Sequence, residues 1–109
     1  MSDVINADDS NFEQDVNNSK LPVLVDFSAT WCGPCKRQLP LVEKFATEHL
    51  ETFKVVKVDI DDSSIVASKY GVKSVPTLML FKDGASLGSK VGLTSLAEIN
   101  SFVMTKLGS

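Results

Sequence analysis

Cys32 and Cys35 are the only cysteines of this 109-residue chain, and they stand two residues apart in Trp31-Cys32-Gly33-Pro34-Cys35. Two thiols at that spacing can close into a small disulfide ring and open again. A ring so small removes little entropy from the unfolded chain, so it makes a poor staple; a structural disulfide usually closes a longer loop. Zinc needs about four ligands, and the single histidine, His49, lies well down the following helix. The pair therefore reads as reversible thiol chemistry before it reads as architecture.

The elements that must hold the pair alternate along the chain. Val4-Ile5 is a short apolar segment suited to an edge strand. Ser10-Asn11-Phe12-Glu13 has the capping-box pattern and predicts a short helix with Phe12 and Val16 on one face. Leu21 to Ala29 predicts a buried strand. Cys35 to about Leu50 predicts a helix lined by Leu39, Val42, Ala46 and Leu50, with a kink at Pro40. Phe53 to Asp59 is a further strand, and Ser63 or Ser64 caps a short helix carrying Ile65, Val66 and Tyr70. Thr77–Lys82 and Ser86–Val91, joined by Asp83-Gly84, predict an antiparallel hairpin. Ser95-Leu96-Ala97-Glu98 is a second capping box, opening a helix with Leu96, Ile99, Val103 and Leu107 on one face. The order βαβαβαββα predicts an α/β fold, a mixed five-stranded sheet flanked by four helices. Strands joined through helices are expected to be parallel.

The bulk properties narrow the function. Apolar residues make up 43% and charged residues 23%, with a net charge of −3, which fits one globular domain over 1–109. That charge offers no case for nucleic acid or an anionic membrane. No apolar stretch nears the ~20 residues that span a bilayer. The first basic residue is Lys20, so the N-terminus shows no secretory pattern and the expected location is cytoplasmic.

The pair falls between a strand end and a helix start, where open α/β sheets expose reacting groups. Unpaired N–H groups and the helix dipole there favour a thiolate. Pro34 suits the first helical turn, because its missing N–H costs nothing there. Lys36 and Arg37 add positive charge beside the pair.

The run from Phe27 through Ser28-Ala29-Thr30-Trp31-Cys32-Gly33-Pro34-Cys35 to Lys36 resembles the active-site segment of thioredoxins. The likeness extends to Asp26, Lys57, Val75-Pro76-Thr77, Phe81-Lys82-Asp83-Gly84 and Val91-Gly92, in order over essentially the whole chain. It implies the thioredoxin fold and a protein-disulfide reductase without cofactor or metal, working as a monomer. Its implied partners are disulfide-containing target proteins and a thioredoxin reductase. Cys32 is implied as the exposed nucleophile that forms a mixed disulfide, and Cys35 as the resolving thiol. Gly33 and Pro34 match the spacer of reducing members. Oxidising or isomerising members more often have His before the second cysteine.

Asp26 interrupts the buried run Val23-Leu24-Val25, and the resemblance implies that it is the buried base for Cys35, with Lys57 as its partner. Burial should raise its pKa. Pro76 is implied to be cis, which sets the Val75 backbone opposite Cys32. Trp31, Gly33, Pro34, Val75, Gly92 and Leu93 are then the docking surface. Position 28 is Ser where many bacterial members carry Trp, and Arg37 and Gln38 stand where apolar residues are usual, making the rim more basic. Asp59-Ile60-Asp61-Asp62 hints at a calcium loop but lacks the required Gly and final acid, since Ser64 and Tyr70 hold those places; it reads as a solvated helix approach. His49 is expected to be exposed or at a helix end, and Met79 and Met104 in core gaps.

Overall fold

The computed structural model describes residues 3–108. Met1, Ser2 and Ser109, which belong to the expected 1–109 domain and in part to the N-terminal reading, lie outside the described residues. Five strands form one sheet in the order β1-β3-β2-β4-β5: β1 (Ile5–Ala7), β2 (Val23–Ser28), β3 (Lys54–Asp59), β4 (Thr77–Lys82) and β5 (Ala85–Val91). A π-helical turn spans Glu13–Asn17, and the longer helices are α1 (Gly33–Glu48), α2 (Ser64–Lys69) and α3 (Leu96–Lys106).

β2 is the middle strand, paired in parallel with β3 and antiparallel with β4. All six of its residues are buried, as a near-continuous apolar run requires between two helical layers. The period of two sorts its side chains. Val23, Val25 and Phe27 join Phe12, Val16, Val66 and Phe81 on one face. Leu24 joins Val42, Phe45, Leu78, Ile99 and Val103 on the other, beneath α1 and α3. Asp26 and Ser28 have the parity of Leu24, so they point under α1.

Parallel pairing holds for β1 with β3 and for β2 with β3. It fails for the strands joined through α2. β4 runs antiparallel to β2, with Thr77 opposite Phe27, and Phe27 in turn beside Val58. The end of β3 and the start of β4 therefore share one end of the sheet. α2, with six residues, rises only about 9 Å where a six-residue strand covers about 20 Å, and the connection from β3 to β4 stays at that end of the sheet.

Local capping also differs from expectation at two places. Ser10 does not cap the first helical turn: its N–H and hydroxyl both donate to Asp8 Oδ1, and the cap residue is Phe12, with no side-chain bond. α2 is capped from outside: Asp9 accepts from Ile65 N at 3.3 Å and Val66 N at 2.9 Å, while Ser63 makes no cap bond. The Ser95 capping box forms as its pattern predicts, with Ser95 Oγ accepting from Glu98 N and Glu98 Oε1 from Ser95 N.

α1 starts at Gly33, two residues earlier than the pattern suggested, and runs through Pro40 to Glu48 as one helix. Its buried residues are Cys35, Gln38, Val42, Phe45 and Ala46. Leu39 is only half-buried and Leu50 lies exposed beyond the helix end. The Asp83-Gly84 turn has positive φ at both residues, 53° and 81°, the geometry a two-residue hairpin demands. Met79 fills the core, but Met104 is exposed. His49 ends α1 and packs against Phe45 and Phe53.

Candidate active site

Cys32 and Cys35 are joined by a disulfide with Cα atoms 5.3 Å apart. The ring sits where β2 hands over to α1. Cys32 is the N-cap of α1 in extended backbone, and its Sγ accepts from Cys35 N at 3.1 Å. Gly33 and Pro34 occupy the first helical turn, where the missing proline donor is harmless. Cys35 projects from the buried side of the helix and lines a cavity. The expectation of an exposed Cys32 is corrected: both cysteines are 4% exposed, because Ala29, Ile60 and Val75 pack around the ring. Position along the helix, not exposure, separates the two thiols.

The cavity holds about 310 Å³ and is lined by Ser28, Ala29, Thr30, Cys35, Lys36, Leu39 and Lys57. Ser28 and Lys57 flank Asp26. Ser28 is two residues along the same strand face, and Lys57 is the register partner of Asp26 on β3. Asp26 is 1% exposed, and neither carboxyl oxygen has a hydrogen-bond partner, nor has Ser28 Oγ. Burial pushes the Asp26 carboxyl up from 3.8 to about 6, and the half-buried Lys57 ammonium draws it part of the way back. A buried carboxyl that titrates near neutrality is suited to moving a proton.

Across the ring lies the Val75–Pro76 peptide, which is cis. Pro76 O accepts from Gly92 N at 2.9 Å, extending the β4–β5 ladder into the next loop. Gly92 has φ +98°, a backbone region closed to most side chains, although a Cβ there would have no atom within 4 Å. Around the disulfide, Trp31 is 67% and Leu93 51% exposed, Gly33 and Pro34 are exposed, and Val75 and Gly92 are half-buried. Val91, 65% exposed, stands immediately before Gly92.

Two residues acquire roles that their sequence position did not reveal. Asp61 Oδ2 accepts from Trp31 Nε1 at 2.9 Å, so part of the acidic run that resembled a calcium loop instead orients the exposed indole. Gln38, expected on the rim, is fully buried, and its Oε1 accepts from Thr94 N at 2.7 Å. No local pattern marks either pairing, since the partners lie 30 and 56 residues apart. Among the described residues no group of His, Cys, Asp and Glu is arranged to hold a metal, and no helix is long and apolar enough to cross a membrane.

The family model described as Thioredoxin matches residues 3–105. A protein named Thioredoxin 1 from Synechococcus elongatus is 50% identical over 84 residues, covering 77% of this chain and 78% of that protein. A thioredoxin from Pseudomonas aeruginosa is 44% identical over 100 residues, covering 92% and 93%. One from Haemophilus influenzae is 39% identical over 103 residues, covering 94% and 96%.

Proposed function

We propose a division of work among the residues of this site from one premise: the chain belongs to the thioredoxin family. It is a thiol–disulfide oxidoreductase that reduces protein disulfides through its Cys32–Cys35 pair. Thioredoxins act on disulfide-containing targets and are themselves reduced by a thioredoxin reductase.

Cys32 is the nucleophile. The observation that carries this is its place at the N-cap, with Sγ already accepting the Cys35 N–H. Backbone donors and the helix dipole stabilise a thiolate there. The Cys32 thiolate attacks one sulfur of the target disulfide. That S–S bond breaks, a mixed disulfide forms, and the second target sulfur leaves as a thiolate that takes up a proton. Cys35 then gives its proton to Asp26 and attacks Cys32 Sγ. The Cys32–Cys35 bond forms as the mixed disulfide breaks, and the target's sulfur leaves Cys32 as a thiolate that takes up a proton, so the target departs with both sulfurs reduced. The two electrons it gained came from the dithiol, and the reductase returns them.

Asp26 supports the second step because burial holds its carboxyl near neutrality, and Lys57 moderates that burial. The cavity beside Cys35 and Lys57 has room for water that relays the proton. Trp31, Val75, Gly92 and Leu93, with Gly33 and Pro34, form the docking surface, and the Val75 backbone before cis Pro76 pairs with an extended target segment. The domain, 1–109, works as a monomer in the cytoplasm.

Trapping tests the assignment. Cys35→Ser should retain disulfide-bonded targets on Cys32, while Cys32→Ser should retain none. Capture only through Cys35 reverses the roles.

A further inference from the structure

Three segments meet around the disulfide: the start of α1, the cis Pro76 loop and the loop 92–94. A chain of hydrogen bonds joins them. Gly92 N donates to Pro76 O at 2.9 Å. Thr94 Oγ1 donates to Gly92 O at 2.9 Å. Thr94 N donates to Gln38 Oε1 at 2.7 Å. Gln38 lies one turn beyond Cys35, on the buried side of the same helix.

The last of these bonds is an unusual use of a core position. Gln38 is 0% exposed and Thr94 1%. A backbone N–H can only donate, so the amide oxygen must face it. The other half of the amide, Nε2, is buried without a hydrogen-bond partner. An apolar side chain would fill this place without that cost, but it would leave Thr94 N unpaired in the interior. The neighbouring part of the loop is fixed by backbone bonds and has little side-chain packing. Leu93 is half in solvent, and Gly92 has a left-handed φ with open space around it.

We propose that Gln38 is a positioning residue for target recognition. By gripping Thr94 it fixes Gly92 and Leu93 relative to the reactive end of α1, so that an incoming chain meets the disulfide and the loop in one register. The proposal rests on the reading of Gly92 and Leu93 as docking residues. It separates target binding from sulfur chemistry, because Gln38 takes no part in the thiol exchange or in the proton path through Asp26.

Gln38→Met keeps the volume and removes the acceptor; Thr94→Val keeps the N–H and removes the second link. With insulin as protein substrate, each should raise KM roughly threefold or more, the scale of one lost hydrogen bond, with kcat unchanged. The double variant should be no worse than the stronger single one, since both act through one loop. Turnover of hydroxyethyl disulfide, too small to reach the loop, should be unchanged. In Gln38→Met the Thr94 amide should exchange faster with solvent. Faster exchange with an unchanged insulin KM overturns the proposal, as does an equal loss with both substrates or an unaltered Thr94 exchange. Leu93→Asp separates the two readings. If it raises the insulin KM and Gln38→Met does not, only the role of Gln38 fails; if it too leaves KM unchanged, the docking surface itself is wrong.

Discussion

Asp26 and Lys57 are register partners on the parallel strands β2 and β3, yet burial outweighs the lysine's attraction and leaves the carboxyl at about 6. The unfolded chain titrates this group near 3.8. Between those values the folded protein holds a proton that the unfolded chain has lost. The group's full contribution to stability is therefore present below about pH 4, is lost as pH rises through about 6, and is absent above that. The shift amounts to about 3 kcal/mol at most. Asp26→Ala should be more stable than the parent by about 1–3 kcal/mol at about pH 8, and no more stable at about pH 4. Urea unfolding at the two pH values checks this; a gain equal at both would mean that burial of the charge is not the cause.

The same substitution should slow resolution. Release of a target from its mixed disulfide with Cys32 should fall roughly tenfold or more in Asp26→Ala, within the range of general-base effects. Single-turnover release is the measurement. Unchanged release would remove Asp26 from the proton path and leave it a costly core residue.

Trp31 is the only tryptophan, so its fluorescence reports directly on its bond to Asp61. Asp61→Ala should lower the indole's anisotropy and raise KM for protein disulfides, while stability changes by about 1 kcal/mol or less, as for one exposed hydrogen bond. Asp61→Asn retains an acceptor and should stay close to the parent. An indole equally ordered in Asp61→Ala would show that packing, not this bond, holds it.

Arg37 is exposed and folds back over the first turn, its Nη1 reaching 4.0 Å from the Cβ position of Gly33. Arg37→Met should slow reduction of an acidic protein disulfide more than of a basic one, and the difference should fade above roughly 0.5 M salt, where charges are screened. The titration of Cys32 in the reduced protein tests whether the guanidinium also favours the thiolate. If neither changes, Arg37 is ordinary surface.

Gly92→Ala meets no atom, but it forces a side chain into φ +98°. It should cost roughly 1–3 kcal/mol and weaken protein docking. Chemical denaturation with insulin kinetics decides; a loss below roughly 0.3 kcal/mol would place no strain on this backbone.

Much of this protein was legible along the chain because it depends on local chemistry. The spacing of Cys32 and Cys35, Pro34 in the first helical turn, the Asp83-Gly84 hairpin and the Ser95 cap each need only a few neighbouring residues. Burial of Asp26 followed from the apolar run around it. The Ser10 cap failed because Asp8, two residues away, competes for the same groups.

Contacts between residues far apart in sequence have no such local pattern, and they emerged only from the packed chain. Asp9 caps α2, Asp61 holds Trp31, and Gln38 turns from a polar rim residue into the buried clasp of Thr94. The direction of β4 belongs here as well. A helix pattern at Ser64–Lys69 says nothing of whether the chain crosses the sheet; here it does not, and β4 starts at the end where β2 delivers the cysteines. That placement brings Pro76 and the loop at Gly92 to the disulfide. The order of residues thus specifies a reactive pair and the segments that hold it, since bond spacing and side-chain burial are local. Packing chose which distant residues surround the pair, since hydrogen-bond partners are selected by proximity in space.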